Sequence, residues 1–135
     1  MTPRQFKTRS LPRDRYAIYL KKAQEFLRAS ESALGVGDWD AVGLNAVHAA
    51  ISSADALLAY YGGVRSTGES HRDVAGLLRQ HVQDDQLGSK FQTLSKVLDY
   101  KNLAAYEDRE VTEAEARDAA KLAGRFLEWA RSRLV

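Results

Sequence analysis

From Tyr16 onward the chain repeats apolar residues at intervals of three and four. Tyr16, Leu20, Ala23, Leu27 and Leu34 form the first such row, with Ser30 in register among them. That period is the stripe of a one-sided helix and predicts a first helix over about residues 12–34. Gly35 and Gly37 then stop it, as glycines past a helix end commonly do. Asp38 is suited to cap a second helix, since its carboxylate can accept from exposed backbone N–H groups. Val47, Ile51, Ala54, Leu58 and Tyr61 make up the second row, ended by Gly62 and Gly63. Val64 to Glu69 reads as a loop. Ser70 and Asp73 have the spacing of a capping box and open a short third helix through Val74, Leu77 and Leu78 to about His81. Gln83 to Gln86 is a polar linker. Phe91, Leu94, Leu98 and Ala105 mark a fourth helix. Thr112 and Glu115 form a second capping box ahead of a fifth. The inner face of that helix is Ala116, Ala119, Ala123, Phe126, Ala130 and Leu134, and its alanines predict close approach of a neighbour.

Pro3 and Pro12 are the only prolines, so nothing beyond residue 12 forbids helix. No run alternates apolar and polar residues for long, and no strand is expected. Short connections between long amphipathic helices favour antiparallel neighbours. The expected fold class is therefore all-α, an antiparallel bundle of four to five helices. A length of 135 residues suits one domain with one core. The expected organisation is a basic, flexible arm over residues 1–11 and a single domain over 12–135. No apolar run approaches the ~20 residues of a membrane span, and no membrane partner is expected.

Charge divides the chain. Residues 1–22 hold seven basic side chains (Arg4, Lys7, Arg9, Arg13, Arg15, Lys21, Lys22) against Asp14, while the chain as a whole carries only +2. Such a segment either touches nucleic acid or an acidic partner, or is simply a solvated terminus. No aromatic pair accompanies it as a stacking platform would. The basic start is not followed by an apolar secretion segment. The absence of cysteine excludes disulfides, thiolate metal sites and a cysteine nucleophile, and fits a reducing cytoplasm.

Three histidines occur, His48, His71 and His81, without a His-Glu-x-x-His or Glu-x-x-His spacing. Neither a metal nor a cofactor is expected. Glycine-rich phosphate loops and the nucleophile elbow are also missing. Two other features stand out. On the second helix Asn45, His48, Ser52 and Asp55 fall within an arc of about 80°, a polar edge beside the apolar row. It either lines a cleft or subunit contact, or is a solvent-exposed flank. On the fourth helix Lys101 lies about 60° to one side of the Leu94–Leu98 row and Asn102 about 40° to the other, with Tyr106 one turn beyond. A lysine so near a buried seam must snorkel, find a partner or shift its pKa.

Taken in order, these pieces resemble the HEPN domain family, small helical proteins named for nucleotide binding in higher eukaryotes and prokaryotes. The likeness spans about residues 14–134. It rests on Tyr19-Leu20-Lys21-Lys22-Ala23 with Glu25-Phe26-Leu27, and on Asn45-Ala46-Val47-His48-Ala49-Ala50. Ser70-His71-Arg72-Asp73-Val74 and Lys101-Asn102-Leu103-Ala104-Ala105-Tyr106 complete it. The resemblance implies a helical bundle that forms a homodimer. Many members are metal-independent endoribonucleases of toxin–antitoxin and defence systems. Their motif is Arg, often followed by a polar residue, then His four to six residues on. Arginine there stabilises charge at the scissile phosphate and histidine acts as acid or base. Here Lys101 stands at the arginine position and Tyr106 at the histidine position. Lysine keeps the charge but lacks the bidentate fork, and a phenol is a poor general base at neutral pH. The expectation is a non-catalytic or weakly active module, binding RNA, a nucleotide or a protein partner through a dimer cleft near Lys101, Asn102 and Tyr106. Asn45, His48, Asp55 and His71 are further binding candidates. A separate nucleotidyltransferase is the partner the resemblance implies. The alternatives are an endoribonuclease toxin using the Lys101–Tyr106 window, with His48 or His71 supplying the imidazole, and a structural adaptor bundle.

Overall fold

The structure, a computed structural model, describes residues 5–68, 70 and 72–134. Five helices dominate it: α1 (Tyr16–Val36), α2 (Trp39–Gly62), α3 (Arg72–His81), α4 (Leu87–Tyr106) and α5 (Glu113–Ser132). The all-α expectation holds. Two three-residue strands, β1 (Thr8–Ser10) and β2 (Val64–Ser66), pair antiparallel. This corrects the expectation of a strand-free chain, because strands this short leave no readable alternation. β1 lies in the basic arm, and β2 in the segment read as a loop.

The bundle is organised around α2, which touches every other helix. Its buried positions are not one row. Ala46, Val47, Ala49, Ala50, Ala54, Ala56, Leu57, Leu58 and Ala59 are all fully buried, which places them around most of the helix. A helix apolar on all sides belongs inside a protein. By length and composition α2 is in fact apolar enough to cross a bilayer, at mean hydropathy 1.3, contrary to the expectation that no run comes close. That surface goes to the bundle instead, since 72% of the window is buried. Small side chains on α2 and α5 let the two backbones approach, and Phe126 fills the space between them and the rest of the core. A second cluster (Val42, Leu103, Val111, Ala116 and Ala120) closes the end of the bundle where α4 finishes and α5 begins.

Local chemistry sets the boundaries. A short 3₁₀ turn, Arg13–Arg15, precedes α1, so the α-helix proper starts later than Pro12 suggested. At its other end Gly37 adopts the left-handed conformation (φ 79°), Asp38 N–H donates to Ala33 O, and Gly37 N–H to Leu34 O. This is a complete Schellman stop. Gly63 (φ 59°) ends α2 in a related way. Ser30, the one polar residue in the first row, is buried and donates to Val42 O at 2.8 Å. Asp38 occupies the N-cap position of α2, but its side chain makes no capping bond, a correction to the sequence reading. Thr112 and Glu115 do form the reciprocal box at α5.

Candidate functional site

Lys101, Asn102 and Tyr106 occupy the last turns of α4. The buried face of that helix runs through Phe91, Leu94 and Val97, while Leu103, half a turn round, joins the cluster at the helix end. Leu98 is only half-buried. The phase therefore differs from the Leu94–Leu98 row: Lys101 remains half-buried, while Asn102 faces solvent and not the seam. Tyr106 is 73% exposed, among the few large apolar side chains left on the surface. Tyr100, one position before Lys101, ties the helix end to α5. Its hydroxyl donates to Asp118 Oδ2 on α5 at 2.8 Å. Burial, and then the Asp118 carboxylate, push the Tyr100 phenol up to about 12. It stays a neutral donor, and α4 is held in register with α5.

The polar edge of α2 divides into two neighbourhoods. Asn45 donates from Nδ2 to Ala41 O at 2.9 Å and so completes its own helix. His48 is half-buried, with its ring 5.2 Å from that of Phe26 on α1. Burial lowers its pKa below the ordinary 6.5, and the Lys101 ammonium lowers it further. The fold thus places His48 and Lys101, which lie 53 positions apart in the chain, within electrostatic range of one another. A neutral imidazole beside a cation can accept a hydrogen bond at physiological pH.

Ser52 and Asp55 are buried, not on a solvated flank. Asp55 faces a different partner, Arg65 on β2, at 3.7 Å. Burial pushes the Asp55 carboxyl up to about 6, against the pull of Arg65 and Lys22. Asp55, Arg65, Ser66, Ser70 and Val74 border a cleft of about 180 Å³. His71 lies outside the described residues.

Sequence reasoning overlooked Arg65, Phe26 and Tyr100. Arg65 sat in an apparent loop, with its partner on the far side of a helix stop. Phe26 enters the sequence reading only within the family resemblance and Tyr100 not at all, and only the fold turns one toward His48 and the other toward Asp118. Among the described residues no three His, Asp or Glu side chains cluster as metal donors would. What the α4 terminus offers is a cation, an exposed amide and an exposed aromatic ring beside a neutral imidazole. Such a set suits hydrogen bonding, charge pairing and stacking.

The comparisons agree with this architecture. A family model described as HEPN domain matches residues 16–133. The fold is similar to that of TT1696 from Thermus thermophilus, at TM-score 0.73 and 24% identity, covering 89% of this chain and 98% of that one. It is also similar to ST0689, an archaeal HEPN homologue, at TM-score 0.67 and 15% identity, covering 87% of this chain and 96% of that one. No curated protein matches.

Proposed function

The chain belongs to the HEPN domain family, and from that premise we propose that it is a non-catalytic, homodimeric module that binds RNA at the end of α4. One observation carries this reading. Lys101, Asn102 and Tyr106 keep the family's motif spacing and lie on an accessible helix end, yet neither end of the motif has its catalytic side chain. A half-buried ammonium supplies charge for a phosphate. An exposed amide supplies hydrogen bonds, and an exposed ring supplies a surface on which a base or a second copy stacks. Val36, 72% exposed at the end of α1, lies at the same end of the bundle and suits a contact between protomers. Titration of a fluorescent single-stranded RNA with the full chain, at low and at raised salt, tests the claim. Binding that weakens with salt and falls in Lys101→Ala and Tyr106→Ala is expected. Absence of binding at low salt would refute it. Sedimentation of the free protein tests the dimer.

The proximity of His48 to Lys101 favours a second reading, a metal-independent endoribonuclease of a toxin–antitoxin pair. A neutral imidazole can take a proton from an attacking hydroxyl while the ammonium stabilises charge on the phosphate. This reading requires RNA cleavage in EDTA that disappears in His48→Ala and Lys101→Ala. Retained cleavage in both variants excludes it.

A further inference from the structure

β1 and the start of α1 enclose a cleft of about 290 Å³ whose wall carries Arg9, Ser10, Arg15, Tyr19 and Lys22. No carboxylate lines it. Among the described residues, Arg9, Arg15 and Lys22 form no ion pair. With no carboxylate in the wall between them, and Asp55 outside the cleft acting on Lys22 only through space, three cations from a strand, a turn and a helix thus converge. Their mutual repulsion opposes the arrangement at the short distances of a single cleft.

The strand register raises that cost. Arg9 lies directly opposite Arg65, and like charges so placed in an antiparallel pair are destabilising. Asp55, 3.7 Å from Arg65, offsets one of the two. Arg9 has no such acid among the described residues. The first turn of α1 holds no acidic residue, and its N-terminus has no side-chain cap, so the positive end of the helix adds charge of the same sign. The wall is also held in place before any ligand arrives. β1 is paired with β2, and Leu11 N–H donates to Gly63 O at 3.0 Å. A preformed cationic cleft binds an anion without a large ordering cost.

We propose that this cleft is a phosphate-binding site, with Arg9 and Arg15 contacting phosphate oxygens through their guanidinium forks and Lys22 adding a point charge. It goes beyond the reading of the α4 terminus and lies elsewhere on the molecule. Arg13, beside the cleft, stacks 3.9 Å over Tyr60. Tyr60 is twelve residues along α2 from His48, about 18 Å of helix.

Calorimetric titration of the full chain with inorganic pyrophosphate at low salt tests the proposal. Saturable binding is expected. It should weaken about tenfold or more in Arg9→Ala/Arg15→Ala, the loss of at least one charge-assisted hydrogen bond. The doubly conservative Arg9→Lys/Arg15→Lys should recover part of it. Lys96→Ala/Lys121→Ala, which removes two exposed cations elsewhere, should bind as the wild type does. Circular dichroism shows whether each variant is folded. A short RNA is then compared with and without a 5′-phosphate. A preference for the phosphorylated strand that requires Arg9 assigns the site to a terminal phosphate. Equal binding of the two strands, with pyrophosphate binding intact, assigns it to a small free phosphate. No saturable pyrophosphate binding, or undiminished binding in Arg9→Ala/Arg15→Ala, would overturn the proposal.

Discussion

Asp55→Asn isolates one buried charge. Asp55 is 5% exposed, and burial raises its carboxyl from the ordinary 3.8 to about 6 despite Arg65 and Lys22 nearby. Arg65 stands 3.7 Å away, beyond ordinary hydrogen-bond reach, and is itself 42% exposed, so it compensates only in part. A raised acid means that the folded state holds its proton more tightly than the unfolded state does. Stability is therefore greater below the unfolded pKa and is lost as pH rises through about 6. At about 1.36 kcal/mol per pH unit, the displacement is worth about 3 kcal/mol at most. Asparagine keeps the shape and has no proton to lose. The stability of Asp55→Asn relative to wild type should therefore rise by up to about 3 kcal/mol between pH 4 and pH 8. Urea unfolding of both proteins across that range measures the difference, and other titrating groups cancel in the comparison. A difference that stays flat with pH would refute the reasoning. A difference that falls as pH rises would mean that Arg65 outweighs burial.

Three further outcomes are expected. Gly37→Ala meets only an ordinary contact with the Trp39 ring but must hold φ 79°, which costs about 1–2 kcal/mol and lowers the thermal midpoint. Glu115 is drawn down to about 2, first by Arg109 and then by the Thr112 backbone. Its contribution is present above the ordinary glutamate range and is lost as pH falls toward about 2, so Glu115→Gln should flatten the acid side of a stability profile. In Lys101→Ala the His48 pKa should rise toward the ordinary value yet stay below it, because burial is the larger cause. NMR titration of the His48 ring measures this, and an unchanged pKa would separate His48 from the α4 terminus.

The features legible in the sequence were the local ones. Thr112 and Glu115 are three residues apart, so their box is visible without a fold. Gly37 and Gly63 act within one turn of the helices they end. What escaped depended on distant partners. β1 and β2 each contribute three residues, and a helix hairpin separates them. The encirclement of α2 was hidden because alanine and serine carry little apolar signal, although packing buries them as thoroughly as leucine. In sequence Asp55 therefore belongs to a polar edge that either lines a cleft or faces solvent, and in the fold it is enclosed. On α4 the sequence row centres on Leu98, whereas the buried face centres on Leu94, between Phe91 and Val97, and that change of phase turns Asn102 outward. The Lys101–Tyr106 window was found by its spacing. Its proximity to His48 arises only when α2 and α4 pack.

The alanines of α2 and α5 have a thermodynamic side as well as a geometric one. Eleven of them are buried on these two helices. An alanine has no rotamers to give up on folding, whereas a buried leucine or isoleucine surrenders about 0.5–1 kcal/mol of side-chain freedom. The seam therefore gains less from each burial and also loses less entropy to it. Where alanine meets alanine it has no rotamers with which to absorb a change. An added methylene there has to displace backbone, so this seam should accept fewer substitutions than a leucine-rich core of equal area.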